Sequence, residues 1–334
     1  MKTNAATQAV SSPPALPGRS DMESAAEFLA PLVPPTPQYV WPQVAAAFGA
    51  EIWLKHENHT PIGAFKARSA AVYFRQLLQR EPGCRGVITA TRGNHGQAVG
   101  LAARRIKLPA TIYVPRGNSV EKNAAMRALG VTLVEHGQDF QESREEASRV
   151  AQRDGLHMVP AFHPDIVLGV STYWAELLRA APDLDLLYVP IGQGSGACAA
   201  AAARNVYSPR TKIVGVVSAH APTFARSFAA HRVVEAPVET LLGDGMACRK
   251  PDEDALAIVL ANISRIAEVT DAELAEAMRK IFALTHNVAE GAGAAAFAAA
   301  WRERESLAGK RVGVALTGGN VDTAIFADVL AGRH

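Results

Sequence analysis

RGVITATRGNHGQAVGLAARR, residues 85–105, passes from a short β-rich apolar run into an alanine-rich helical stretch through a turn of glycine and small polar residues. The same rhythm recurs downstream. PATIYVP (109–115) leads to SVEKNAAMRALG (119–130), VTLVEHG (131–137) to DFQESREEASRVAQRDG (139–155), and HMVPAF (157–162) to DIVLGVSTYWAELLRAA (165–181). A second set follows, with LDLLYVPIG (184–192) before GACAAAAARN (196–205), KIVGVVSA (212–219) before PTFARSFAAH (222–231), and RVGVALTGG (311–319) after a long alanine-rich helix. The strands are nearly continuous apolar runs, as strands covered by helices on both faces must be. The expected class is therefore α/β with parallel, doubly wound sheets. Two such domains fit the chain better than one very wide sheet. In this architecture ligands gather beyond the carboxyl ends of the strands, so the loops that follow them carry the functional information.

At 334 residues the chain can bury a large core, and 34 basic against 32 acidic side chains leave a formal charge of only +2. The basic residues are scattered, which argues against a nucleic-acid or anionic-membrane partner. Cys84, Cys198 and Cys248 are too few and too far apart for a disulfide framework, and they fit a reducing cytoplasm. No run of apolar residues is long enough for a membrane span. Residues 1–20, with SSPPALPG inside them, lack the apolar segment of a secretion signal and read as a disordered lead-in. HRVVEAPVETLLGDGMACRKPDED (231–254) is the least regular stretch and reads as an extended loop near a site.

Three loops and one lysine stand out. VPIGQGSGAC (189–198) ends an apolar strand with Gly192, Gln193, Gly194, Ser195 and Gly196 before an alanine helix, a backbone-rich setting that suits a phosphate. Its G-x-G-x-x-A spacing also admits a nucleotide-binding oxidoreductase, yet the next strand ends in Ser218, Ala219 and His220, with no carboxylate for a ribose. TATRGNHGQAVG (89–100) offers Thr91, Asn94 and His95 around Gly93, a place for a small carboxylate at a helix start. ALTGGNVD (315–322) alone is little more than a turn signal. In GAFKARSA (63–70), Lys66 opens a helix, where the backbone dipole disfavours a cation and favours an amine that deprotonates easily. An ordinary solvated lysine is the competing reading.

Together, and in this order, these segments resemble the fold-type II pyridoxal-phosphate enzymes, specifically their serine/threonine dehydratase branch. The resemblance runs from about residue 30 to about residue 325. It implies that Lys66 forms the Schiff base with the cofactor and serves as the catalytic base, its pKa lowered by burial and cationic neighbours. It places Phe65 beneath the cofactor ring, Asn94 on the ring oxygen, Gly192, Gln193, Gly194, Ser195 and Gly196 around the phosphate, and Thr317 on the pyridine nitrogen. It assigns Thr91, Arg92, Gly93, Asn94 and His95 to the substrate. Glu290, in NVAEGAGA (287–294), matches a late family segment without its proline and is expected beside the cofactor or at an ordinary helix start. The implied architecture has a large cofactor domain over 21–74 and 165–334 and a small substrate domain over 75–164.

The implied reaction is β-elimination from a β-hydroxy amino acid of the serine, threonine, phenylserine or hydroxyaspartate type, giving a 2-oxo acid and ammonia. The implied protein is a cytoplasmic homodimer. A β-replacement enzyme or a racemase of the same fold is the alternative. Two departures refine this. Ser218 stands where metal-dependent members carry a glutamate, so no divalent metal is expected. Arg92 stands where serine racemases carry an acid–base serine; a guanidinium cannot take a proton, which disfavours racemisation. If it points inward it can pair with a second substrate carboxylate, and if outward it is a solvated surface residue. With some fourteen residues after Asn320, no C-terminal regulatory domain is expected.

Overall fold

A computed structural model of the chain describes residues 12–334. In chain order the elements are α1 (Arg19–Leu29), β1 (Gln38–Val40), α2 (Pro42–Phe48), β2 (Glu51–His56), α3 (Lys66–Arg80), β3 (Val87–Ala90), α4 (Asn94–Arg105), β4 (Ala110–Val114) and α5 (Val120–Ala128). They continue with β5 (Thr132–Glu135), α6 (Phe140–Asp154), β6 (His157–Met158), α7 (Pro164–Ala180), β7 (Leu186–Pro190), α8 (Ser195–Tyr207), β8 (Lys212–Ser218) and α9 (Thr223–Ala230). Then come α10 (Glu253–Asn262), β9 (Arg265–Val269), α11 (Asp271–Thr285), α12 (Gly291–Arg302), β10 (Arg311–Leu316) and α13 (Thr323–Leu330).

The strands form two sheets, one of six strands in the order β1-β2-β10-β7-β8-β9 and one of four in the order β5-β4-β3-β6. All pairings are parallel except that of β1 with β2. The large sheet is thus mixed at one edge, a small correction to a wholly parallel expectation. β10 and β7 lie side by side in its middle, with Val312 opposite Leu186. The loops that follow them therefore emerge together. In the small sheet β3 is interior, between β4 and β6, and delivers the Thr91–His95 loop.

Small side chains let the layers approach closely. Ala197 and Ala199 to Ala203 on α8, and Ala294 to Ala296 on α12, are buried against the central strands. Where α3 crosses α7, a Cβ on Gly169 would lie 2.6 Å from the Arg68 carbonyl oxygen, so only glycine permits that separation. The boundary expected between residues 74 and 75 falls inside α3, which runs unbroken to Arg80. The expected lead-in is outside the described residues over 1–11. From Arg19 onward it is helical, with the Asp21 carboxylate accepting the Gly18 N–H at 2.8 Å and Met22, Ala25 and Leu29 buried.

Beneath the start of α3 lies a buried set of four charges. Arg68 donates from Nε to Glu57 at 2.9 Å and from Nη1 to Glu176 at 2.6 Å, and Lys55 Nζ bonds Glu176 at 2.5 Å and the Thr36 carbonyl at 2.8 Å. Two cations and two carboxylates cancel, and nearly every proton and lone pair has a partner, which is the condition under which such groups can be buried. Removing one member breaks that balance. Arg68→Leu is expected to destabilise the fold by about 3–5 kcal/mol, measured as a lowered midpoint in denaturant unfolding.

Candidate active site

The carboxyl ends of β3, β7 and β10 open onto one cavity of about 480 Å³, and Lys66, the Thr91–His95 loop, the Gly192–Gly196 loop, Glu290 and Thr317 all line it. Lys66 is the first residue of α3. The turn before it is built by Thr60, whose hydroxyl bonds both the carbonyl and the N–H of Ala64 at 2.7 and 3.0 Å. The TGGN segment then lies along that turn: Phe65 N–H donates to the Thr317 carbonyl at 3.0 Å, Gly319 N–H to the Gly63 carbonyl at 2.9 Å, and the Asn320 amide to the Ile62 carbonyl at 2.8 Å. A segment that reads as a simple turn in the sequence is therefore the brace that aims Lys66.

The Lys66 ammonium sits 4.3 Å from the centroid of the Phe65 ring, which in turn meets Tyr173 edge-on. Burial lowers the Lys66 pKa to about 8, and the Glu290 carboxylate partly opposes this. The expectation of cationic neighbours is corrected here: desolvation does the lowering, and the charge that acts on the amine is an anion.

At the second corner, Gly194 adopts a left-handed conformation (φ +98°) and begins α8 without any side-chain cap. The first backbone bond into that helix is from Cys198 N–H to the Gly194 carbonyl, at 3.0 Å, so the amides before it face the cavity side of a positive helix end. A Cβ on Gly192 would come within 2.5 Å of the Gly245 carbonyl oxygen, so the cradle closes against the 237–249 loop only with glycine there.

The third corner is the first turn of α4. Gly93 N–H donates to Thr91 Oγ1 at 3.1 Å, and a Cβ on Gly93 would strike the Lys122 stem at 2.8 Å. Asn94 is held on both sides, donating to Glu290 Oε1 at 2.5 Å and accepting from Asn320 Nδ2 at 2.7 Å. Glu290 precedes α12 yet makes no cap; it turns into the cavity, 4% exposed, and burial pushes its carboxyl up to about 7, against the pull of Lys122. His95 is pushed down to about 4, first by burial and then by the nearby Lys66 charge, and is neutral at pH 7. Arg92 lies exposed at the cavity mouth; its carbonyl accepts from Asn118, and its guanidinium has no acceptor among the described residues.

Other residues enter the site only through tertiary packing. Lys122, from α5, reaches across to Asp244 at 2.8 Å, and Tyr173 projects from α7. The irregular 231–254 stretch supplies Glu239, Asp244, Met246 and Arg249 to the wall. Nothing in the local sequence marks Lys122, which sits in an ordinary amphipathic helix.

A desolvated lysine, an amide cradle at a helix start and a buried hydroxyl from Thr317 together fit pyridoxal phosphate. The family model described as pyridoxal-phosphate dependent enzyme matches residues 29–318. The chain belongs to this family. Relatives of this pyridoxal-phosphate dependent enzyme include an L-threo-3-hydroxyaspartate ammonia-lyase of Saccharomyces cerevisiae, 32% identical over 321 residues that cover 96% of this chain and 98% of the relative. An L-threonine ammonia-lyase of Thermotoga maritima is 32% identical over 283 residues, 84% of this chain and 70% of the relative. The processed form of threonine deaminase isoform 2 from Solanum lycopersicum superposes with a TM-score of 0.86 at 26% identity, covering 98% of each chain. These place the enzyme in the serine/threonine dehydratase-like branch with the fold-type II architecture. Among the described residues no helix is long and apolar enough to cross a membrane.

Two outcomes are expected. The purified holoprotein is yellow, loses its visible absorbance on borohydride reduction, and carries the reduced adduct on Lys66 by peptide mass spectrometry; Lys66→Ala is colourless under the same treatment. Glu290 makes the cofactor-free protein pH-sensitive. Its folded pKa of about 7 lies above the ordinary 4.5, so its favourable contribution is complete below pH 4.5 and is lost as the pH rises toward 7. The denaturation midpoint should fall across that window in the parent protein and fall less in Glu290→Gln.

Proposed function

We propose that this pyridoxal-phosphate dependent enzyme is a carbon–oxygen lyase that removes water from a β-hydroxy amino acid and releases a 2-oxo acid and ammonia. The observation that carries the reading is the cavity amine Lys66, whose pKa burial lowers to about 8, beside a loop whose Arg92 can give no second base. The ammonia-lyase relatives support the same reaction class. When bound, pyridoxal phosphate acidifies the Cα proton of an amino acid joined to it. Every other task falls to the chain. The amides at the start of α8 hold the phosphate, and those at the start of α4 hold the substrate carboxylate. Thr317 would offer the ring nitrogen a hydroxyl rather than a carboxylate, which suits elimination.

Lys66, with a pKa of about 8, has an appreciable neutral fraction near pH 7 and takes the Cα proton. The β-hydroxyl then departs as water with the proton that the Lys66 ammonium returns, which restores the neutral amine, and hydrolysis of the unsaturated amine yields ammonia and the 2-oxo acid. Racemisation needs a proton donor on the opposite face as well, and a guanidinium in that place does not serve.

Arg92 favours a substrate with a second carboxylate. It is cavity-lining, charged and without a protein acceptor among the described residues, and a bidentate pair with a carboxylate is its natural use. The test is a panel of serine, threonine, phenylserine and 3-hydroxyaspartate stereoisomers assayed for 2-oxo acid. At least one 3-hydroxy amino acid should turn over, and a yellow protein that turns over none would sink the proposal. Arg92→Ala should lower kcat/KM for 3-hydroxyaspartate by roughly 10- to 100-fold, the value of a charge-assisted hydrogen bond, while leaving serine within a few-fold.

A further inference from the structure

Asn94 lines the cavity, and the orientation of its amide is set from outside it. Asn320 Nδ2 donates to the Ile62 carbonyl at 2.8 Å and to Asn94 Oδ1 at 2.7 Å. A carbonyl has no proton to offer, so the group that Asn320 turns toward Ile62 must be its NH2, and both N–H bonds of that group are then used. Asn94 has to meet the second of them with its oxygen. Its own NH2 consequently faces the other way, where Glu290 Oε1 accepts one proton at 2.5 Å. Glu290 by itself does not decide the matter, because a carboxyl that ionises near neutrality can donate to an amide oxygen as well as accept from an amide N–H. The NH2 of Asn320 can only donate.

Glycines let these groups close up. A Cβ on Gly63 would lie 2.8 Å from Asn320 Oδ1, and one on Gly318 would lie 2.2 Å from Glu290 Oε1 and 3.2 Å from Asn94 Nδ2. Gly318 also pairs with Ala64, two residues before Lys66, so the Asn94 NH2 stands at the lysine side of the cavity. The second N–H of that group has no acceptor among the described residues. Lys66 joins pyridoxal phosphate through its aldehyde carbon, and the ring oxygen is carried by the neighbouring ring carbon, so that oxygen comes to lie beside the lysine. We propose that Asn320 is a positioning residue that locks the Asn94 amide with an N–H, rather than its oxygen, toward the ring oxygen of the cofactor. A donor there favours the anionic oxygen, with the proton on the Schiff-base nitrogen, which is the form that absorbs visible light. This rests on the cofactor reading above and not on the choice of substrate.

The experiment measures the ratio of visible to near-ultraviolet absorbance of the substrate-free holoprotein, the near-ultraviolet band reporting a proton on the ring oxygen. Asn320→Asp, whose carboxylate can only accept, should turn the Asn94 amide around and lower the ratio by about threefold or more. Asn320→Ala, which frees the amide without adding charge, should shift it in the same direction by less, and it carries the test where Asn320→Asp no longer holds the cofactor. Asn94→Ala should lower the ratio as well. In that background the change at position 320 should have no further effect, because two substitutions that act through one contact are not additive. An equal shift in both backgrounds, as a loosened Lys66 turn or the added charge would give, overturns the inference, as does an unchanged ratio in the position-320 variant. An Asn94→Ala spectrum identical to the parent's overturns it while leaving the attachment to Lys66 intact. A parent protein that takes up no pyridoxal phosphate overturns the cofactor reading and this inference with it.

Discussion

The buried charges of Lys55, Glu57, Arg68 and Glu176 are the constraint on which the site depends. They join β2 and the segment after it to the first turn of α3 and the C-terminal half of α7. Apolar packing is non-directional and tolerates small slides, whereas a two-armed guanidinium between two carboxylates does not. Arg68 lies two residues after Lys66, so a helix that cannot slide or roll keeps the amine aimed at the cavity. The cost of burying four charges is offset only by their mutual pairing. Glu57 takes a further bond from the Thr36 hydroxyl at 2.6 Å, which completes it.

Within the cavity the same low-polarity setting acts in opposite directions on acids and bases. It brings Lys66 down and Glu290 up until the two lie within about a pH unit of each other, near neutrality. It also keeps His95 uncharged. Such a site can exchange protons at pH 7 without any strong acid or base, which is what removal of a Cα proton followed by departure of a hydroxyl requires. The Lys122–Asp244 pair crosses from α5 to the loop facing it; its cation draws the Glu290 carboxyl down while its carboxylate pushes it up.

Much of the architecture is legible because strands covered on both faces must be apolar throughout. VITA, LLYVP and RVGVAL therefore stand out at sight, and their following loops line the cavity. The strands that escape notice are those whose polar residues are satisfied from afar. EIWLKH carries Lys55 and His56 into the interior, where Glu176 and the Thr36 carbonyl take the Lys55 amine and Trp41 donates to His56 Nε2. RIAEV, half-exposed and flanked by arginine and glutamate, is weak for a different reason: it forms the edge of the sheet.

By itself the sequence determined the class of fold and pointed to Lys66 and the Gly192–Gly196 loop, because backbone conformation, helix polarity and strand burial are local demands that leave marks on neighbouring residues. Only the tertiary structure decided how those parts work together. It turned TGGN from a loop into the brace of Lys66, replaced the expected cationic neighbours with Glu290, and brought in Lys122, Asp244 and Tyr173. Each of these depends on which groups, distant along the chain, share a desolvated space. No local pattern encodes that distance.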